Sequence, residues 1–158
     1  MYKRYVIFRS WLLVYLTHQL ALPILKLIRK PEVFPFTRKE LKAFPPSTLG
    51  RELIEMLEEK ELQLLTHYAK HDMKHILLEY PTTDKGEVSL QAFMLGNGHV
   101  SFPVFISVTF GALLMPEHWG SFLHAFKRGK SAQQIHHWKW NEIVHEETAA
   151  LKQKIFNH

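Results

Sequence analysis

Apolar residues recur along most of this chain with the period of a helix. Leu53, Met56, Leu57, Leu64 and Leu65 fall at spacings of three, four and seven, while Glu52, Glu55, Glu58, Glu59, Lys60 and Glu61 cover the opposite side. That is the pattern of an amphipathic surface helix, beginning at Thr48 or Leu49 with a break around Lys60 or Leu62. A second helix is predicted over residues 66–80, with Tyr68, Ile76, Leu77 and Tyr80 as its apolar support. The run Pro81-Thr82-Thr83-Asp84-Lys85-Gly86 ends it and reverses the chain, and the following helix over 84–95 stops at Gly96-Asn97-Gly98.

Residues 100–115 are almost wholly apolar, including Phe102, Phe105, Ile106, Val108, Phe110, Leu113 and Leu114. Such a segment has no polar face to turn to water, so burial on most sides is expected. A strand would need partners that the rest of the chain does not offer, and Pro103 is tolerated in the first turn of a helix. Pro116 closes this segment, a short helix follows over 117–127, and Arg128-Gly129-Lys130-Ser131 reads as a turn. Ser131 then caps a last helix over 131–156. The fold class is all-α: a single-domain helical bundle of about six or seven helices, with residues 100–115 as its buried central helix.

The beginning of the chain is different. Residues 11–28 hold the apolar run Trp11-Leu12-Leu13-Val14-Tyr15-Leu16, then the polar Thr17-His18-Gln19, then a second run broken by Pro23. One or two helices kinked near Pro23 are expected, with too little uninterrupted apolar length for a membrane span and no clean cleavage site after the first run. Residues 31–48, with Pro31, Pro35, Pro45 and Pro46, read as an irregular connector. This divides the chain into a basic apolar N-terminal arm, residues 1–34, and a helical domain, residues 35–158. The length of 158 residues, 46% hydrophobic and 22% charged, is that of one globular unit.

Charge sharpens the reading of the arm. The net charge is +5, and Lys3, Arg4, Arg9, Lys26, Arg29, Lys30, Arg38 and Lys39 crowd the first forty residues against only Glu32 and Glu40. Basic residues around an apolar segment favour an anionic membrane surface over nucleic acid, for which no helix-turn-helix, zinc-finger or RNP-like pattern is present. A basic terminal helix packed on the body is the alternative. There is no cysteine, so disulfides, thiolate ligands and cysteine nucleophiles are excluded and any metal must be held by nitrogen and oxygen.

Candidate chemistry gathers between His71 and Glu87. On a helix His71 and His75 lie one turn apart on nearly the same face, about 6 Å along the axis, with Asp72 beside them. The turn after residue 80 returns Glu87 toward them. Two imidazoles and two carboxylates are ligands for zinc, iron, manganese or cobalt, and ligand types alone do not choose among these. Two other readings stand beside this one. His at i and i+4 is commonly two solvated side chains, and Asp84 with Glu87 has the form of a capping box, which would use up the Glu87 carboxylate. His67 lies one turn before His71, and His136, His137 and His145 are placed on the last helix at the border of a Trp138/Trp140 packing face. A His-Asp phosphohydrolase lacks its distal aspartate, because Asp72 and Asp84 are the only two Asp. There is no Gly-x-Ser-x-Gly elbow and no His-Glu-x-x-His, and Gly129-Lys130-Ser131 lacks the first glycine of a phosphate loop.

The spacing His71-Asp72-x-x-His75, eleven residues, Glu87 resembles the metal motif of the coenzyme Q biosynthesis protein 4 family, which serves ubiquinone synthesis. Phe44-Pro45-Pro46-Ser47-Thr48-Leu49-Gly50-Arg51-Glu52 is similar to that family's lead-in to its first helix, Gly86-Glu87-Val88-Ser89-Leu90-Gln91-Ala92-Phe93 to its Gly-Glu run, and Trp138-Lys139-Trp140-Asn141-Glu142 to its closing helix. Ser47 stands where the family usually has glycine, and Lys74 where an aromatic is common.

The resemblance implies a divalent cation, zinc first among the candidates, on His71, Asp72, His75 and Glu87, which would also be the catalytic residues. It further implies a metal-dependent decarboxylase/hydroxylase acting on the ring carboxyl of a polyprenyl hydroxybenzoate-type precursor. The rival is a non-catalytic scaffold and lipid-binding protein. Expected partners are a polyprenylated aromatic quinone precursor or another isoprenoid lipid, the membrane surface and other quinone-biosynthesis proteins, with a homodimer open and no nucleic acid. The expected location is peripheral, on the cytoplasmic face of a bacterial membrane or the mitochondrial inner membrane.

Overall fold

The computed structural model describes residues 33–157, together with Phe8, Trp11 and Leu12. The expected arm and its kinked helices over residues 11–28 fall almost wholly outside the described residues. Among the described residues the elements are α1 (Arg38–Ala43), α2 (Leu49–Glu59), α3 (Ala69–Leu78), α4 (Asp84–Gly96), α5 (Phe102–Leu114), a 3-10 turn (Pro116–His118), α6 (Trp119–Ser131), α7 (Trp140–Ile143) and α8 (Thr148–Phe156). No strand occurs among them, so the all-α, single-domain expectation holds.

Local chemistry sets the boundaries. The connector expected to be irregular contains α1, because Thr37 and Glu40 form a reciprocal capping box that satisfies two first-turn N–H groups. Thr48 caps α2, whose Leu53, Ile54 and Leu57 are fully buried. That helix ends at Glu59, before Glu61 takes a left-handed φ of 54°. Leu64 and Leu65 therefore lie beyond the helix their spacing placed them on, and Leu65 is exposed. Just before α2, Ser47 has φ 67°, a conformation that glycine adopts without penalty. Its carbonyl accepts from Thr148 N, tying α2 to the start of α8.

The central helix is α4, which buries Val88, Ser89, Leu90, Ala92, Phe93 and Met94 and receives α5 on one side and α6 on the other. The expectation for residues 100–115 is corrected here. Within α5 only Val104 and Gly111 are buried, while Phe102 is 66% and Leu113 68% exposed, with Phe105 and Phe110 also in solvent. The segment is apolar all round, as its composition says, but the described residues cover only one edge of it.

The single helix expected over 131–156 is also corrected. Ser131 is the last residue of α6 and donates to Arg128 O rather than capping a new helix. The chain then runs without helix to α7, held by Asn97, whose buried amide donates to Gly129 O, Ala132 O and Gln133 O and accepts from Ile135 N at 2.9 Å. His136 and His137 sit in this non-helical stretch, and His145 lies between α7 and α8 against the rings of Phe36 and Phe44.

Candidate metal centre

The turn that joins α3 to α4 builds the site. Helix α3 ends at Leu78, with Glu79 in the left-handed region at φ 59°. Thr83 caps α4, its hydroxyl accepting from Gly86 N at 3.2 Å. This shifts the cap one residue from the expected Asp84 and takes Glu87 out of the capping box. Gly86 is required by the turn, since a Cβ there would stand 1.8 Å from Pro81 O. With that carbonyl tucked against the first turn of α4, the free Glu87 side chain swings back over α3.

Three predicted residues meet as a result. His71 Nε2 lies 2.9 Å from Glu87 Oε2, His75 Nε2 lies 2.9 Å from Glu87 Oε1, and the two Nε2 atoms are 3.1 Å apart. His75 forms the floor, its side chain 2% exposed, while His71 and Glu87 make a rim open to solvent, Glu87 at 42%. Asp72 is half-buried next to His71 and feels the charge of all three, but its carboxylate is not one of the mutually close donor atoms. His67 is exposed and outside the group. Among the described residues His71, His75 and Glu87 are the one set of three or more His, Asp or Glu donors within 4.8 Å of one another.

His75 Nδ1 lies 2.9 Å from Tyr80 O. A carbonyl only accepts, so Nδ1 carries the proton, and neutral His75 presents a bare lone pair at Nε2. That lone pair points at a carboxylate and at a second imidazole. Such a convergence needs a positive centre, either a proton or a metal ion. The electrostatics agree. Burial opposes a charged His75, yet the hydrogen bond and charge of Glu87, with Tyr80 O and Asp72, raise it above its usual 6.5. Burial would likewise raise Glu87, but His71 and His75 together bring it down to about 2. Burial pushes Asp72 up, partly offset by the two histidines and reinforced by Glu87.

The donor set fits a divalent cation. Two bonds of about 2.1 Å meeting near 90° set their donors roughly 3.0 Å apart, against about 3.4 Å at a tetrahedral angle. The Nε2–Nε2 separation of 3.1 Å lies between these values, and Glu87 sets one oxygen 2.9 Å from each nitrogen, so both imidazoles and the carboxylate could reach one ion from one side, with its other positions open. The anchoring of Nδ1 by a backbone carbonyl is the outer contact that metal-bound histidines commonly have. Sequence reasoning missed Tyr80 O and the Thr83 cap. The Gly86 that precedes Glu87 was a visible signal for the tight turn.

Beside the site runs an apolar surface. A Cβ on Gly111 would fall 2.3 Å from a Val88 methyl, so the second half of α5 lies directly against the residue that follows Glu87. The whole of α5 is 13 residues, about 20 Å, and exposes Leu113, Phe110, Phe105 and Phe102 along its length. Trp119 and Leu123 of α6 extend the exposed apolar surface, and Trp119 Nε1 is fixed by Ala112 O at 2.6 Å.

An all-α bundle whose central hairpin brings two histidines and a glutamate together defines the class: a helical protein with a candidate metal centre. Residues 46–156 match the family of coenzyme Q (ubiquinone) biosynthesis protein Coq4, and the chain belongs to that family. Its role is therefore in ubiquinone biosynthesis. The fold is similar to the crystal structure of a candidate ubiquinone biosynthesis protein from Nostoc punctiforme PCC 73102, with TM-score 0.63 and 18% identity, covering 95% of this chain and 82% of that one. Comparison with curated protein sequences gives no match.

Proposed function

We propose that this chain is a metal-dependent enzyme that removes the ring carboxyl of a polyprenylated hydroxybenzoate-type quinone precursor and leaves hydroxyl in its place. The observation that carries this reading is the convergence of His71 Nε2, His75 Nε2 and Glu87, with the exposed apolar helix α5 packed on the next residue, Val88. A polar, cation-binding head site and an adjoining hydrocarbon track suit a substrate with an acidic ring and a long tail.

When bound, a divalent cation supplies a Lewis acid that orients a ring phenolate or carboxylate, and a redox-active ion such as iron also supplies a partner for dioxygen. Zinc, implied by the resemblance, serves the first role alone. The protein's groups do the rest. His75, locked by Tyr80 O, presents one fixed nitrogen, and Glu87 stays ionised at the rim. Asp72, the fourth residue of the expected set, stands outside the group of close donors and would act on it through its charge. Replacing carboxyl by hydroxyl with loss of carbon dioxide oxidises the substrate by two electrons overall, so one oxygen atom of dioxygen enters the ring hydroxyl and a two-electron reductant takes the other to water. Burial of tail on α5 contributes about 0.8 kcal/mol per methylene-sized group, enough to dominate affinity while the head site sets the register.

No described helix is long and apolar enough to cross a membrane. Peripheral attachment through α5 and the basic N-terminal arm suits delivery of such a lipid. The same exposed surface favours a second reading, a scaffold that holds the prenylated precursor for other quinone-biosynthesis proteins. Elemental analysis and ligand binding test the site: native protein should hold one divalent ion per chain, His71→Ala should lose it, and a prenylated ring should bind far more tightly than the bare ring. Equal affinity for both rings would remove the hydrocarbon track, and tight tail binding with the carboxyl left in place would select the scaffold.

A further inference from the structure

One side chain touches three consecutive residues where the ligand helix ends. Arg128, on the last turn of α6, donates from Nη1 to Leu78 O at 2.7 Å, stands 4.0 Å from a Glu79 carboxylate oxygen, and lies 5.4 Å from the centre of the Tyr80 ring. Its guanidinium is seated on aromatic surface, 4.1 Å from the centre of Phe156 and 5.6 Å from that of Phe93. The last carbonyls of a helix have no intrahelical partner, and Leu78 O finds one here. Glu79 follows in the left-handed region, which a residue with a Cβ occupies only when its surroundings hold it there. Lys152 holds the Glu79 carboxylate from the other side at 2.9 Å. Next comes Tyr80, whose carbonyl takes the Nδ1 proton of His75.

We propose that Arg128 is a positioning residue of the metal centre: by clamping Leu78, Glu79 and Tyr80 from α6, it holds the Tyr80 carbonyl where it selects the Nδ1–H form of His75 and aims Nε2 at the cation. This rests on reading His71, His75 and Glu87 as ligands. The chain of causes is short. If the turn relaxes, Tyr80 O moves off Nδ1, the His75 ring is no longer held to one tautomer, and Nε2 presents a proton as often as a lone pair. Outer partners of this kind are worth about 10- to 100-fold in metal affinity. Lysine does not replace arginine here, because the planar fork both stacks on Phe156 and donates to Leu78 O, whereas an ammonium is a point charge without a face.

The test compares Arg128→Met, Arg128→Lys and, as a control, Lys152→Met, which leaves Arg128 on Leu78 and Tyr80. Cobalt(II) affinity is read from its visible absorption, and the tautomer of His75 from imidazole nitrogen shifts of the metal-free protein at alkaline pH, where the ring is neutral, assigned against His75→Ala. Both Arg128 variants should bind cobalt about 10- to 100-fold more weakly and show a population of the Nε2–H form, while Lys152→Met keeps the wild-type tautomer and affinity. If Arg128→Met does not fold, Arg128→Lys, which retains charge and stem, carries the comparison. Folded Arg128 variants with wild-type affinity and an unchanged His75 tautomer would overturn the proposal. Failure of the wild-type chain to take up cobalt would instead overturn the ligand assignment, and the nitrogen shifts would still decide whether Arg128 sets the tautomer.

Discussion

Replacing Gly86 by alanine tests how the turn delivers Glu87. The added Cβ would lie 1.8 Å from Pro81 O, 2.8 Å from Pro81 C and 2.9 Å from Pro81 Cγ, so two of the three clashes are with backbone. Moving that carbonyl from 1.8 Å to the ~3.0 Å that real contacts require displaces the turn by about 1.2 Å. Overpacking of this kind costs about 1–3 kcal/mol, or roughly 2–4 °C in Tm per kcal/mol for a chain of this size. The site should suffer more than the fold. Metal–ligand distances are held to about 0.2 Å, so a shift of this size carries Glu87 out of bonding range of an ion on His71 and His75, and metal affinity should fall at least ~10-fold. Thermal unfolding of the metal-free protein and a cobalt titration, run on wild type, Gly86→Ala and Glu87→Ala, read the two effects separately. Gly86→Ala should resemble Glu87→Ala in the titration while being the less stable of the two. Wild-type stability together with wild-type affinity would refute the close approach of Pro81 to α4.

Three further outcomes follow from particular residues. Ser47→Gly should raise stability by up to about 1 kcal/mol in a denaturant titration, because glycine occupies φ 67° without the Cβ penalty; a loss of stability would show that the Ser47 side chain contributes more than its strain. Asn97→Ala should cost about 2–4 kcal/mol and expose the 132–135 backbone to amide exchange, since Ile135 N and the carbonyls of Gly129 and Gln133 lose a buried partner; unchanged exchange there would contradict the hub role. In the metal-free protein the His75–Glu87 pair should stabilise most between about pH 4.5 and 6.5. Glu87, depressed from 4.5 to about 2, loses its contribution as pH falls toward 2, and raised His75 loses its own as pH climbs above 6.5 through its folded value. The Tm difference between wild type and Glu87→Gln should therefore peak in that window, and a difference flat across pH would contradict the pairing.

What the sequence could show was local. The spacing of Leu53 and Leu57 against a glutamate-rich side gave α2 its buried face, and the i, i+4 histidines with a glutamate beyond a breaker-rich turn gave the core of the site. What it concealed depends on distant partners or on a shift of one residue. Asp84 and Thr83 are both good caps, and only the geometry of the turn chooses Thr83, which frees Glu87. The non-helical stretch after Ser131 looks helix-compatible in isolation, because the groups that satisfy its backbone belong to Asn97, more than thirty residues earlier. Residues 100–115 were misplaced for a different reason: an apolar run states what a segment avoids, not whether the rest of the chain is large enough to cover it. The contacts of Arg128 with residues 78–80 join α6 to the end of α3, and nothing at either position announces the other.

The most direct test of the central claim is release of labelled carbon dioxide from a carboxyl-labelled, prenylated hydroxybenzoate by the purified protein, supplied with dioxygen and a reductant, with its metal present and after chelation. Labelled carbon dioxide should appear in step with the hydroxylated ring, cease on chelation, return when the ion is restored, and be absent from Glu87→Ala. A prenylated ring that binds tightly yet keeps its label under every metal tried would contradict the enzyme reading and leave the chain as a carrier of the precursor.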